Sequence, residues 1–326
     1  MPDSVTHYWL GRQVLSELPA DLQDTLDLGI FERALQGPDP WSTIGFYGGP
    51  KKQYACRSNV MHKEKTGAYL LALTEEAKEN KLVFSLLAGN LCHYCLDRLL
   101  HPYIICKGGD YDGTPATYHQ RGGHVRLERA IDSLVIRHAY KKTPWHFSIP
   151  KRILRLKRYP ESLRQPLNRV FSRVYGWENG FSDFNKSLRD EARFYGLMQD
   201  PAGLVHYLLR PLSGGRVNYC MYSYYRRDTA SGTVDYLNEK HGAWKHPYDA
   251  AVVSTASVFD LIGLAKEDAL QMIRAAYAVV FSGETLKLAE LYGNSNYSTG
   301  FDCDDLRNQR KPVFEPLQYK GQYFNQ

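Results

Sequence analysis

No stretch of the 326 residues reaches the ~18 consecutive apolar side chains that a membrane-spanning helix needs, so a helical span is excluded. The opening MPDSVTHYWLGRQ has no basic region followed by an apolar core, which removes the basis for a secretion leader and makes a cytoplasmic protein the expectation. Cysteine is scarce, with Cys56, Cys92, Cys95, Cys106, Cys220 and Cys303 the six present, and reduced thiols are expected rather than a disulfide framework. Cys92 and Cys95 form a CxxC with no second pair and no preceding strand, so they are read as small buried apolar residues. Repeats, low-complexity tracts and βαβ alternation are missing too, which excludes solenoids and doubly wound sheets. The glycines of FYGGP and KGGD lack the setting and the lysine of a nucleotide-binding loop, and are read as turn or lid.

Apolar residues at 43% and charged residues at 23% describe an ordinary globular chain with a sizeable core. The net charge of +6 tilts the chain toward anionic partners, but it is too small to imply nucleic-acid binding by itself.

Apolar residues recur at helical spacing over 7–18, where Pro19 stops the pattern, and over 21–35. A Gly- and Pro-rich loop over 37–59 precedes helices predicted at 62–79, 81–105 and 119–140. Further helical stretches are expected at 160–174, 179–197, 201–210 and 247–282, with the short apolar runs 251–253 and 278–281 read as buried helix faces. The fold class is all-α. Residues 1–140 are expected to form the metal-binding helical core, with 141–326 a helical half packed on it in one large domain.

Chemistry concentrates in HYCLDRLLHPY, where His93, Asp97 and His101 stand at i, i+4 and i+8. Positions four apart drift by only ~40° around a helix, so the three share one stripe. Flanking Leu91, Leu96 and Leu100 imply burial, and buried imidazole and carboxylate without partners are costly. A hydrogen-bonded polar stripe is the alternative to a metal grip. In GGHVRLERAID, His124 and Glu128 repeat the i, i+4 spacing and Asp132 continues the face, although a Glu so placed is commonly a solvated charge. His7 and His62 open two other helices. Imidazole and oxygen ligands without cysteine suit zinc, and the eight groups His7, Asp39, His62, His93, Asp97, His101, His124 and Glu128 exceed what one tetrahedral ion takes, so two or three ions are expected.

The motifs THYWLG, GPD, the helix-opening MH, HYCLD followed by HPY, and GHVRLE occur in this order over roughly residues 2–140. In this the chain resembles the zinc-dependent phospholipase C family, whose superfamily includes single-strand zinc nucleases. The resemblance implies a multi-helix bundle of the phospholipase C/nuclease kind with a trinuclear zinc site. One zinc would lie on Asp39, His62, His93 and Asp97, and a second on His101, His124 and Glu128. The third would take His7, the bridging Asp97 and the amino terminus exposed when Met1 is removed, here Pro2. The Asp97–His101 interval is shorter than in the secreted enzymes, and His119 stands near as an alternative ligand. The implied activity is hydrolysis of a phosphodiester by zinc-activated water, with Asp39 orienting or deprotonating that water. A phospholipid is the nearer substrate. A nuclease would need base-stacking surfaces, for which the 24 tyrosines are available. A binding protein merely stabilised by metal is the reading from another class, and the carboxylate-rich ligand set opposes it. The adjacent His-Asp pair of the histidine-aspartate phosphohydrolases is missing.

Outside these motifs, KRILRLKRYPESLRQPLNRVFSR carries eight basic residues and one acid over 151–173. It could contact an anionic membrane surface or form a solvated basic face. His138, His146, His206, His241 and His246 are read as structural, DYLNEKHGAWKHP as a compact aromatic loop, and FDCDD near 302 as a solvated tail.

Overall fold

The computed structural model describes residues 4–110, 120–199, 204, 234–319 and 322–323. Its centre is set by one helix, α6 (Lys81–Gly108), whose residues are buried without a break from Val83 to Asp97. Such all-round burial follows from a sequence that is largely apolar on every face, interrupted there by Ser85, Asn90, His93 and Asp97, and it places the last two in the middle of the protein. Asn80 starts the helix by accepting the Leu82 N–H at 3.0 Å.

Around α6 pack α1 (Ser4–Glu17), α3 (Leu28–Ala34), α5 (Thr66–Ala77), α7 (Gln120–Tyr140) and α11 (Val258–Phe281). The outer elements are α2 (Ala20–Thr25), α4 (Arg57–Lys63), α8 (Ile149–Arg152), α9 (Arg164–Tyr175), α10 (Gly180–Met198) and α12 (Leu288–Tyr292). The fold is all-α, apart from two small hairpins among the described residues, β1 (Trp244–His246) with β2 (Asp249–Ser254) and β3 (Gln318–Tyr319) with β4 (Gln322–Tyr323). No helix among the described residues is long and apolar enough to cross a membrane.

Four sequence-based expectations are corrected. The helix expected at 62–79 is split into α4 and α5 at Lys65, which adopts φ +55°, so His62 ends a helix rather than opening one. The helix expected at 21–35 is broken into α2 and α3, because the Asp27 carboxylate accepts the Ile30 N–H at 2.9 Å and caps a new helix. The helix expected over 247–282 begins only at Val258. There Ser257 and Asp260 form a capping box, and the run Ala251 to Val253 lies on strand β2 with Val252 and Val253 exposed. Ala278 to Phe281 does lie on the helix. The FDCDD segment is no free tail: the Phe301 ring packs tilted against His246 at 4.4 Å, and the Cys303 N–H donates to the Asn294 carbonyl at 2.8 Å.

Cys92, Cys95 and Cys106 are buried, and no disulfide forms among the described residues. In the basic stretch, Ile153, Leu154 and Leu163 are buried in the core, so it offers solvent its charges rather than an apolar face. The stretch expected to be helical at 201–210 lies outside the described residues, apart from position 204, as does His206.

Candidate metal centre

Two groups of ligand-type side chains converge, with potential ligand atoms within 4.8 Å of one another: Asp39, His62, His93 and Asp97 in one, His101, His124 and Glu128 in the other. Each comes from a different part of the chain. Asp39 opens a 3-10 turn after α3, His62 ends α4, His93, Asp97 and His101 lie on α6, and His124 and Glu128 lie on α7. The helical stripe read from the sequence therefore places its residues on both groups, and the shorter interval to His101 still brings it to Glu128.

The imidazoles are oriented by backbone. Nδ1 of His62 lies 2.6 Å from the Ser58 carbonyl, Nδ1 of His93 3.1 Å from that of Leu35, Nδ1 of His101 3.0 Å from that of Tyr297, and Nδ1 of His124 2.7 Å from that of Gly109. A carbonyl only accepts, so each Nδ1 carries the proton and each Nε2 is turned toward the carboxylates. This is the arrangement that fixes tautomer and ring orientation in metal-binding histidines.

Asp97 is fully buried and shared. Its Oδ2 is 3.1 Å from His93 Nε2 and 3.5 Å from His62 Nε2, and its Oδ1 is 3.2 Å from His7 Nε2. The His7 and His93 rings stack at 4.0 Å. Despite these distances, His7 Nδ1 and Nε2, His93 Nε2 and both Asp97 oxygens meet no partner in hydrogen-bonding geometry among the described residues. For neutral His93 the contact sets an imidazole lone pair against a carboxylate oxygen. That is repulsive unless a cation lies between them, and leaving several such buried atoms unmatched would cost about 1–3 kcal/mol each. The residues fit a divalent metal.

In the second group, His124 Nε2 is 3.0 Å and His101 Nε2 4.0 Å from Glu128 Oε1, and His101 Nδ1 is 3.8 Å from Asp97 Oδ2. Asp97 thus stands between the two groups. Exposure is graded across the centre. Asp97 and the His93 side chain are sealed, whereas the Asp39, His124 and Glu128 side chains keep 11%, 16% and 9% exposure, so the centre opens to solvent on their side.

Protonation follows these surroundings. Burial pushes Asp97 up, but the neighbouring His93 and His101 imidazoles, together with His62 and His7, outweigh it and hold the carboxyl well below the usual range. Glu128 is likewise raised by burial yet brought to about 2 with help from His124 and His101. Burial lowers His7 and His101. His62 goes the other way: burial lowers it, but the hydrogen bond to Asp39 and the negative charge of the nearby Asp97 lift it to about 9.

The structure brings Asp39, His62, His93 and Asp97 together, and likewise His101, His124 and Glu128, with His7 against the shared Asp97. Pro2 and His119 lie outside the described residues. Sequence reading passed over Tyr297, whose carbonyl holds His101, and saw in Asp132 only a continuation of a helical face. Nothing in their local patterns marks either: the Tyr297 acceptor is a backbone carbonyl, common to every residue type, and the Asp132 carboxylate meets donors 127 and 126 residues away in the chain.

A family model for zinc dependent phospholipase C matches residues 6–180, more than half of the chain. No curated protein and no solved structure matches it. The matched span contains every residue from His7 to Glu128 that the fold draws into the two groups, and the chain belongs to the zinc-dependent phospholipase C family.

Proposed function

We propose that this chain is a zinc-dependent phosphodiesterase of the phospholipase C kind, hydrolysing a phosphoester bond of a phospholipid. The observation that carries the reading is the convergence of buried imidazole Nε2 atoms on Asp97 and Glu128, with their Nδ1–H groups tied to backbone carbonyls. Asp39, His62, His93 and Asp97 would hold one zinc, and His101, His124 and Glu128 a second. His7, 3.2 Å from the shared Asp97, is available for a third together with the amino terminus, Pro2 in our assignment. When bound, zinc supplies Lewis acidity toward a phosphoryl oxygen and a water acidic enough to attack phosphorus near neutrality.

The chain's own residues do the rest. Asp97 is sealed and ionised, so it compensates cations in the interior. Asp39 is the carboxylate of the first group that stays in contact with solvent, where it can orient a water and accept its proton. A site that opens on one side and is rich in carboxylate supports catalysis over a purely structural metal, whose sites are closed and cysteine-rich.

The test uses the purified full-length protein, assayed on phosphatidylcholine vesicles and on single-stranded DNA, with zinc per chain measured in parallel. Hydrolysis of the lipid, lost on chelation and restored by zinc, supports the reading. Cleavage of DNA alone would move the activity to the nuclease branch, and bound zinc without hydrolysis of either substrate would leave a metal-stabilised binding protein. Asp39→Asn should lower turnover by at least about 100-fold while keeping most of the zinc, the scale of a lost general base. Near-normal turnover in that variant would remove Asp39 from the chemistry.

A further inference from the structure

The loop after α12, Gly293 to Phe301, lies far outside the span shared with the family, yet it runs through the wall of the metal centre. Tyr297 is 1% exposed. Its N–H donates to the His62 carbonyl at 2.8 Å, and its carbonyl accepts the Nδ1–H of His101 at 3.0 Å. Its ring packs edge-on to His62 at 5.1 Å and tilted against His93 at 5.7 Å. One residue therefore touches three imidazoles drawn from both ligand groups.

The loop is not free to drift. Tyr94 on α6 donates its hydroxyl to the Tyr292 carbonyl at 2.6 Å and accepts the Ser295 N–H at 3.0 Å. At the start of α5, Thr66 donates to the Ser295 carbonyl at 2.9 Å and the Gly67 N–H to the Asn294 side chain at 3.2 Å. Within α6, Pro102 has no N–H to offer the Arg98 carbonyl four residues back. Gly300 settles against that carbonyl so closely that a Cβ on it would lie 2.5 Å from the oxygen.

We propose that Tyr297 is a positioning residue for both zinc groups: its carbonyl sets the tautomer and direction of His101, while its ring wedges His62 and His93 into register. The proposal rests on the zinc reading above, and the experiment separates the two. Zinc affinity of the full-length protein is measured by competition with a chelator, and unfolding of the zinc-stripped protein is followed beside it. Tyr297→Phe keeps the ring and the carbonyl and should bind zinc as the wild type does. Tyr297→Ala should bind about 10–100-fold more weakly, the loss typical when the support of a metal ligand is removed. Its zinc-induced rise in melting temperature should shrink as well, which a merely structural core residue would not produce. Gly300→Ala, which leaves Tyr297 in place but pushes the loop off the Arg98 carbonyl, should also weaken zinc binding. It decides the matter if Tyr297→Ala does not fold.

Wild-type zinc affinity in Tyr297→Ala, or in Gly300→Ala where the first variant is unfolded, overturns the proposal and leaves the zinc reading standing. Loss in Tyr297→Phe equal to that in Tyr297→Ala overturns it too, since the role would then belong to the hydroxyl. A wild-type protein that takes no zinc defeats both.

Discussion

Gly37 adopts φ +48°, and a Cβ there would lie 2.4 Å from Cδ2 of His93. Two costs therefore meet in Gly37→Ala. The left-handed backbone costs an L-residue about 1–2 kcal/mol, and crowding a packed interior costs about 1–3 kcal/mol more. We expect the zinc-stripped variant to lose about 2–5 kcal/mol in denaturant unfolding and its zinc affinity to fall as His93 is displaced. Gly48→Ala is the control: φ there is +95° but nothing lies within 4 Å, so it should show the strain alone and bind zinc normally. Equal zinc affinity in the two variants would disconnect Gly37 from the centre.

His62 makes a second expectation at the same scale. In the metal-free protein its pKa is lifted from 6.5 to about 9 by Asp39 and Asp97 against the opposing effect of burial, so near neutrality Nε2 carries a proton. Zinc needs that lone pair, and loading must release the proton. His7 and His101, lowered by burial, are already neutral there and release none. Below about 9 the bound proton competes with zinc; affinity through His62 therefore rises with pH and levels off above about 9. Calorimetric titration in buffers of different ionisation enthalpy counts the protons released, and a count unchanged on crossing that pH would contradict the assignment.

At the scale of elements, helix α7 does more than supply two ligands. One stripe carries His124, Glu128 and Asp132, and Asp132 accepts the Val5 N–H at 2.9 Å, the Thr6 N–H at 2.8 Å and the Thr6 hydroxyl at 2.6 Å. It caps α1 from another helix, and α1 brings His7 to Asp97. Asp132→Ala leaves those donors at a buried helix start and should cost about 2–3 kcal/mol in the zinc-stripped protein. His7 should be loosened as well, whereas Asp132→Asn keeps an acceptor and should lose less. Unfolding within about 0.5 kcal/mol of wild type, as for an ordinary surface change, together with an unchanged zinc count, would refute the capping role.

Elements also show what the sequence makes legible. The stripes on α6 and α7 could be read because helical periodicity puts residues four apart on one face whatever else the chain does. The start of α11 was readable in principle from Ser257 and Asp260, but the apolar run just before it resembled a helix face and masked the strand. The supports of the imidazoles were not readable. Ser58, Leu35, Gly109 and Tyr297 contribute carbonyls, and only the fold decides which carbonyl meets which ring.

For the whole molecule, the matched span 6–180 is held by contacts from residues beyond it. On α10, Asp190 accepts the Gly45 N–H at 2.8 Å and the Ser187 carbonyl accepts the Thr43 hydroxyl at 3.3 Å, which fixes the turn that begins at Asp39. Buried Arg33 of α3 pairs with Glu191 of α10. Helix α11 covers α6, where Cys95 meets Met272 at 3.6 Å and Arg98 pairs with Asp268. We therefore expect residues 1–140 and 141–326 to unfold together, in one transition with coincident loss of helix and of aromatic packing. A fragment ending at residue 180 would expose the apolar face of α6 and leave His62, His101 and the Asp39 turn without their supports. It should be unfolded or aggregated and take up no stoichiometric zinc. Two separated transitions in the full chain, or a folded fragment with wild-type zinc content, would show instead that the metal centre is complete without the second half. The contacts of α10, α11 and the Tyr297 loop argue against that outcome, because each reaches a ligand or the helix that carries one.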